Sequence, residues 1–285
     1  MEHTSTLEKV LRAIALSVIV LFFMFPILWI FLMSLQTNET ILRVPPSVVF
    51  EPTLANYKAL ITGKLETSAA SLEIHFLRNL WNSVFLSVTS VALALLLGVP
   101  AAYAFARHKF KGSEDIAFTL LSFRFAPPLL VLLPLSLYFQ KMGLADTYIG
   151  LIWVYQLICL PLILWIVRGY FEDISPDIEY AYRIAGHSWF ATFRKIALPL
   201  AGPGIAAAGL LAFIFAWNNF IFALVLASAD KQPVTVGALA FITASGIQYG
   251  QIAAAIVLSI TPTLALALYA QKYLVEGLSL GAVKG

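Results

Sequence analysis

The chain has 285 residues, of which 60% are apolar and only 12% charged, with a net charge of +3 and a mean hydropathy of +0.87. A soluble domain carries roughly twice that charged fraction, so a water-soluble globule is excluded and an all-α, polytopic integral membrane protein is expected. The basic residues are dispersed, which removes nucleic-acid binding. The single cysteine, Cys159, lies in an apolar run, so an internal disulfide is excluded and the residue reads as small packing.

Six segments are long enough to cross a bilayer, which takes roughly 20 residues. They are Ala13–Leu35, Leu80–Ala106, Ile116–Gln140, Thr147–Val167, Gly204–Ser228 and Gln251–Val275. The first follows a short N-terminal stretch, residues 1–12. No small-x-small cleavage site follows it, so it is expected to stay as a span. Residues 36–79 form a polar external region. Its Gly63-Lys64 lacks the earlier glycine and the following Ser or Thr of a phosphate loop, so nucleotide binding there is rejected.

Basic residues set the orientation. Lys9, Arg12, Arg107, Lys109, Lys111, Arg168, Arg183, Arg194, Lys195, Lys272 and Lys284 fall on one side. Arg43, Lys58, Lys64, Arg78, Lys141 and Lys231 fall on the other. Both termini and the loop between the fourth and fifth spans are therefore expected in the cytoplasm.

The third span carries Arg124 in SFRFAPPLLVLLPL. Two readings stand. Arg124 snorkels at the span's cytoplasmic end, or it is an interior cation that faces solute or satisfies carbonyls freed by Pro127, Pro128 and Pro134. In the fifth span, Trp217, Asn218 and Asn219 are adjacent. On a continuous helix they fan over roughly 200°. The two amides act either as interhelical glue or, with the indole, as contacts for a hydroxyl-rich solute.

The loop from Gly169 to Pro203 reads GYFEDISPDIEYAYRIAGHSWFATFRKIALPLAGP. Ser175 is placed to cap a helix with Pro176 in its first turn. Ile178, Ala181, Tyr182 and Ala185 form one apolar stripe at helical spacing. Gly186 stands where a helix turns off in the left-handed conformation. Ser188 is placed to cap a second helix with Phe190, Phe193 and Ala197 on one face, which Pro199 limits. By pattern alone this is an amphipathic pair on a membrane surface.

The spacing goes further. Gly186, nine residues, then Ile196-Ala197-Leu198-Pro199 resembles the EAA loop of ABC-importer permeases, E-A-A, three residues, G, nine residues, I-x-L-P. Tyr180, Ala181 and Tyr182 take the E-A-A places, Glu179 precedes them, and Ala185 stands where an Asp often precedes the glycine. Three further stretches are similar to carbohydrate permeases of the maltose type, smaller subunit: Arg124-x-x-Pro127-Pro128, Trp217-Asn218-x-Phe220 and the terminal Gly281-x-Val283-Lys284-Gly285.

The resemblance covers essentially the whole chain. It implies a type I ABC importer fold: a first helix at 13–35, a permease domain of five helices at 76–275, a coupling loop at 169–203 and a cytoplasmic tail at 276–285. It implies a multi-pass subunit in a bacterial or archaeal inner membrane that forms half of the path for a sugar, polyol or sugar derivative. The implied partners are a second permease subunit, an ATPase dimer, an external solute-binding protein and membrane lipid. No cofactor is expected on this chain, ATP and Mg being held by the ATPase, and no catalysis or metal site is expected. Glu179, Tyr180, Ala181, Tyr182, Ala185, Gly186, Ile196, Leu198 and Pro199 are the implied ATPase-coupling residues. Asn218, Asn219, Trp217 and Arg124 are candidates for the solute path. An ion-coupled secondary carrier is the alternative, and the lack of Asp or Glu in any span centre weighs against it.

Overall fold

The computed structural model describes residues 6–45, 49–66, 71–108 and 110–282. Lys109 and the tail residues Val283-Lys284-Gly285 lie outside the described residues. In chain order the elements are α1 (Thr6–Ser34), α2 (Asn38–Ile41), α3 (Ala55–Thr62), β1 (Lys64–Glu66), β2 (Ser71–Glu73) and α4 (Phe76–Arg107). Then come α5 (Ser113–Ser122), α6 (Pro128–Lys141), α7 (Tyr148–Asp173), α8 (Pro176–Ile184), α9 (Trp189–Thr192) and α10 (Leu198–Leu200). The chain closes with α11 (Gly202–Trp217), α12 (Ile221–Leu226), α13 (Val234–Gly237), the strands β3 (Ile242–Thr243) and β4 (Gly246–Ile247), and α14 (Tyr249–Ala282).

Among the described residues four helices are long and apolar enough to cross a membrane, or up to six when each of two bent pairs counts as one span. The first bend falls at Pro127 and Pro128, where prolines are expected to break the third span. Ser113–Phe125 and Pro128–Lys141 meet at 97°. Ala126 and Pro127 adopt extended backbone there, because a proline disfavours helical geometry in the residue before it. Trp189–Leu200 and Gly202–Trp217 meet at 71°.

The chain divides into two compact units, Met1–Leu77 with Ala238–Thr261, and Arg78–Gly237 with Pro262–Gly285. In the first, α1 is exposed along nearly its whole length. It is apolar all round, as a helix surrounded by lipid or by other apolar helices must be. The described residues between α1 and α4 are more structured than their polar composition predicts. Gly63 (φ +72) closes α3 and turns directly into β1, which pairs antiparallel with β2, Lys64 opposite Glu73. The glycine of the rejected phosphate loop is thus a helix cap. Asn56 donates to the carbonyls of Ser34 (2.9 Å) and Gln36 (2.8 Å). Asn38 donates to Ile247 O (3.0 Å) and accepts from Tyr249 N (2.9 Å), so it holds the strand–helix junction before α14.

In the second unit α11 packs along α7. A Cβ on Gly204 would lie 2.2 Å from the Tyr170 ring, so the close approach requires glycine. Cys159 is fully buried, with its thiol toward Ala212 O at 3.8 Å, which agrees with a packing role. The first half of α4 buries a run of polar residues beside the apolar Leu86 and Val91. Asn79, Asn82, Ser83, Ser87 and Ser90 are all buried, while Trp81, Val88 and Leu96 are exposed. This inversion suits a membrane helix, where small polar groups bond to protein and apolar ones face lipid. Asn82 donates to the carbonyls of Asp230 (2.9 Å) and Gln232 (3.0 Å) and accepts from the Tyr148 hydroxyl (2.8 Å). Ser83 accepts from Val234 N (2.8 Å).

Candidate functional site

The central loop forms as the residues predict. Ser175 accepts from Asp177 N at 3.3 Å with Pro176 in the first turn, and Asp177 and Glu179 complement the helix dipole. Gly186 ends α8 at φ +93. Ser188 then caps α9, accepting from Ala191 N at 3.3 Å. The second helix departs from expectation. Residues Phe193–Ala197 form a π segment in which Leu198 N bonds to Phe193 O, and the helix runs on through Leu200. Pro199 does not stop it. Pro199 instead lacks the N–H that would reach the Lys195 carbonyl in α register, and the wider turn accommodates that gap.

The faces of α8 are reversed from a simple amphipathic reading. Ile178, Ala181 and Ala185 of the expected stripe are exposed, as are Tyr180 and Ile184, the latter 87%. Tyr182 is half-buried and stacks on His187 at 3.9 Å. Glu179 is the buried member, 2% exposed. It accepts from the Tyr103 hydroxyl at 2.6 Å and from Arg107 Nε at 2.8 Å. A carboxylate is removed from water only when paired and hydrogen-bonded, and this one has both. Of the residues that the resemblance implies for coupling, Glu179 is thus the one turned into the protein rather than toward solvent.

Further along, Gly186 and Pro199 are exposed, Ile196 and Leu198 are half-buried, and Ala197 is buried. Phe190 is 71% exposed. Arg183 lies 3.6 Å over the Trp189 ring, which pins α8 to α9. An aromatic recess of about 300 Å³ opens beside this pair, lined by Pro100, Tyr103, His108, Trp189, Phe190 and Phe193.

The candidates for a solute path are not brought together. The fifth span is not one helix through Asn219. α11 ends at Trp217, Asn218 is its cap, and α12 begins at Ile221. Trp217 is buried and stacks on Phe213 at 5.6 Å, and Asn219 is buried, its main-chain carbonyl accepting from the Thr235 hydroxyl at 2.8 Å while its side-chain Oδ1 has no hydrogen-bond partner among the described residues. Both are turned inward, and no continuous helix runs through them. Asn218 is exposed, and its amide donates back to Ile214 O at 2.8 Å. Arg124 sits in the short 3-10 turn at the α5–α6 bend, half-buried, with its guanidinium 4.3 Å over Phe215 of α11. The ring face, rather than a freed carbonyl, is its described partner.

Sequence reading missed the clamp at Asp146. This residue adopts φ +56, donates its N–H to Leu226 O (3.0 Å) and accepts at Oδ1 from Ser228 N (2.9 Å). That backbone bond, followed by Lys231 beside it, holds the carboxyl below the usual carboxylate range. The polar stripe of α4 was also missed, although its spacing at i, i+3, i+4 and i+8 is legible. No cluster of three or more His, Cys, Asp or Glu suited to a metal occurs among the described residues.

Residues 5–279 match the family described as binding-protein-dependent transport system inner membrane component. The chain is 35% identical, over 91% of its length and 92% of the relative's, to the trehalose transport system permease protein SugB of Mycobacterium tuberculosis. It is 32% identical, over 98% of both chains, to the trehalose/maltose transport system permease protein MalG of Thermococcus litoralis. A chain of a bacterial ABC transporter involved in the import of the acidic polysaccharide alginate shares the fold, with TM-score 0.76 and 24% identity over 96% of this chain and all of that one. The ion-coupled carrier alternative gains no support from any of these. With its bent and straight spans, its helix–glycine–helix loop and this likeness over its whole length, the chain belongs to the family of binding-protein-dependent transport system inner membrane components, the permeases of type I ABC importers.

Proposed function

We propose that this chain is one of two membrane subunits of an ATP-driven importer for a carbohydrate-like solute, in a bacterial or archaeal inner membrane. The ATPase dimer carries ATP and Mg, and an external binding protein delivers the solute. The carbohydrate class rests on the relatives named for trehalose and maltose. The chain itself performs no bond-breaking chemistry.

One observation carries the coupling role. The central loop, on a protein whose helices otherwise present apolar faces to membrane, displays Tyr180, Ile184 and Phe190 outward on a framework fixed from beneath by Glu179. Exposed apolar side chains on the same short loop as the exposed Arg194 and Lys195 mark a protein docking surface. The ATPase subunit is its occupant, and the aromatic recess offers a seat for an apolar side chain of that subunit. On the solute side, Asn218 and Arg124 remain the candidate path residues.

The test is copurification of the tagged full chain from its own membranes. An ATPase subunit should accompany it, and Ile184→Asp should remove the ATPase while leaving the chain in the membrane. A cysteine at position 187 should resist a membrane-impermeant maleimide in intact cells. Ready labelling there, or undiminished ATPase with Ile184→Asp, refutes the coupling role.

A further inference from the structure

We infer that Arg107, Glu179 and Tyr103 form a latch that carries the displacement of α8 to the second span, α4, so that this span moves with the coupling helix as one body. The inference rests on the coupling role proposed above for α8 and adds which span receives the stroke and through which atoms.

The covalent chain does not connect α8 to α4. Its neighbours in sequence are α7 and α9. The side-chain contacts do connect them. Both oxygens of Glu179 are engaged: Oε2 by the Tyr103 hydroxyl at 2.6 Å, and Oε1 by Arg107 Nε and Nη2, each at 2.8 Å. Arg107 Nη2 also donates to Ile174 O at 3.0 Å. Ile174 is the residue at which the chain leaves α7 for α8. One guanidinium in the last turn of α4 therefore holds the coupling helix and the hinge before it. The Tyr103 ring adds two more elements, lying 5.2 Å from Phe171 of α7 and 4.9 Å from Phe193 of the π segment after α9.

Burial gives these contacts their stiffness. The side chains of Arg107 and Glu179 are only 7% and 3% exposed. An exposed pair exchanges partners with water at little cost, whereas a buried charge that leaves its partner is left unpaired in a poor dielectric. The pair therefore resists being pulled apart when α8 is displaced. The other ion pairs near this loop differ in kind. Arg168 joins Glu114 and Glu172, but those carboxylates are 76% and 47% exposed. They can yield to water during a stroke. Fixed planar geometry at Arg107, gripping two elements at once, also explains why a lysine there would be a poor substitute.

The experiment uses the full chain purified with its partner subunits and spin-labelled at Leu96→Cys on α4 and Asp177→Cys on α8. The native Cys159 is buried and stays unlabelled. Distances are compared without nucleotide and with ATP plus orthovanadate. In the parent the two labels should keep one distance in both states. In Glu179→Gln and in Arg107→Lys the distance should shift by roughly 2–5 Å on adding ATP–vanadate, the scale of helix shifts in switching proteins.

Single variants that leave one buried charge unpaired risk poor assembly. The double variant Arg107→Met/Glu179→Met removes both charges and retains volume, and it should assemble yet show the same shift. Tyr103→Phe, which keeps the ring and loses only the hydroxyl, should shift in the same direction by less. A parental distance that changes with nucleotide, or variants whose distance does not, overturns the latch. If the parent chain purifies without an ATPase, the coupling role fails and the latch with it. If the ATPase is present and the variants behave as the parent, the latch alone fails.

Discussion

Gly186 is the position where backbone and function can be separated most cleanly. It sits at φ +93, and a Cβ built on it meets nothing within 4 Å. A side chain there therefore causes no clash, and its whole effect is on the backbone. An L-residue in this region costs about 1–2 kcal/mol. Asparagine is tolerated best, and a β-branched residue is a genuine outlier. The expected order of damage is Asn, then Ala, then Val. A cost of about 1–2 kcal/mol lowers the population of the docking-competent turn by roughly five- to thirtyfold. Gly186→Val should thus reach the membrane in parental amount, because the turn lies outside the spans, but copurify with a fifth or less of the parental ATPase. The assay is quantitative blotting of both subunits after affinity purification, with ATP hydrolysis measured on the same samples. Equal ATPase recovery from the Asn, Ala and Val variants would refute the argument that a positive-φ turn presents the docking surface.

Three more outcomes follow from the geometry. Gly204→Ala places a methyl group against the Tyr170 ring. It should lower assembled protein and its melting temperature by an overpacking cost of about 1–3 kcal/mol, and Tyr170→Leu in the same chain should restore part of both. Arg124→Ala should lose a cation–π contact with Phe215 worth about 0.5–2 kcal/mol, Arg124→Lys should recover part of it, and Phe215→Leu should reproduce the loss. If all three have parental yield and activity, the contact has no role. Asp146 has a carboxyl held below its ordinary value by Ser228 N–H. A depressed folded-state value means that its contribution is fully present above the unfolded value, about 3.9, and fades as pH falls through the lower folded one. Melting of the purified protein should therefore show no Asp146-dependent change between pH 5 and 8, and Asp146→Asn should remove part of the acid-side loss seen below about pH 4.

Much of this architecture could be read from residues alone, because the signals were local. Six apolar stretches, a capped helix before Gly186 and a second cap at Ser188 each depend on a few neighbouring positions, and the structure carries them all. What failed depended on distant partners or on how a helix breaks. Trp217-Asn218-Asn219 read as three steps around one helix, but the helix ends at Trp217 and two of the three turn inward. The burial of Glu179 was not legible, because nothing local reveals that Tyr103 and Arg107, over seventy residues earlier, converge on it. The Ile178–Ala185 stripe was real as a pattern, yet in a subunit of an assembly an apolar face can be reserved for another chain. The elements between the first two spans were not legible, because three-residue strands and a four-residue helix carry too little periodicity to register.

The segment between α12 and α13 is seated on α4 in an unusual currency. Asn82 reads two of its carbonyls and Ser83 one of its amides, so the seat recognises main chain rather than side chains. The exposed side-chain pair of Arg78 with Asp230 adds little. Gly237 is the exception, since a Cβ there would meet the Asn79 side chain at 1.9 Å. A stretch held this way can exchange almost every outward residue without losing its position. The two asparagines and the serine of α4 are fixed by geometry, while the surface they support is free to diversify.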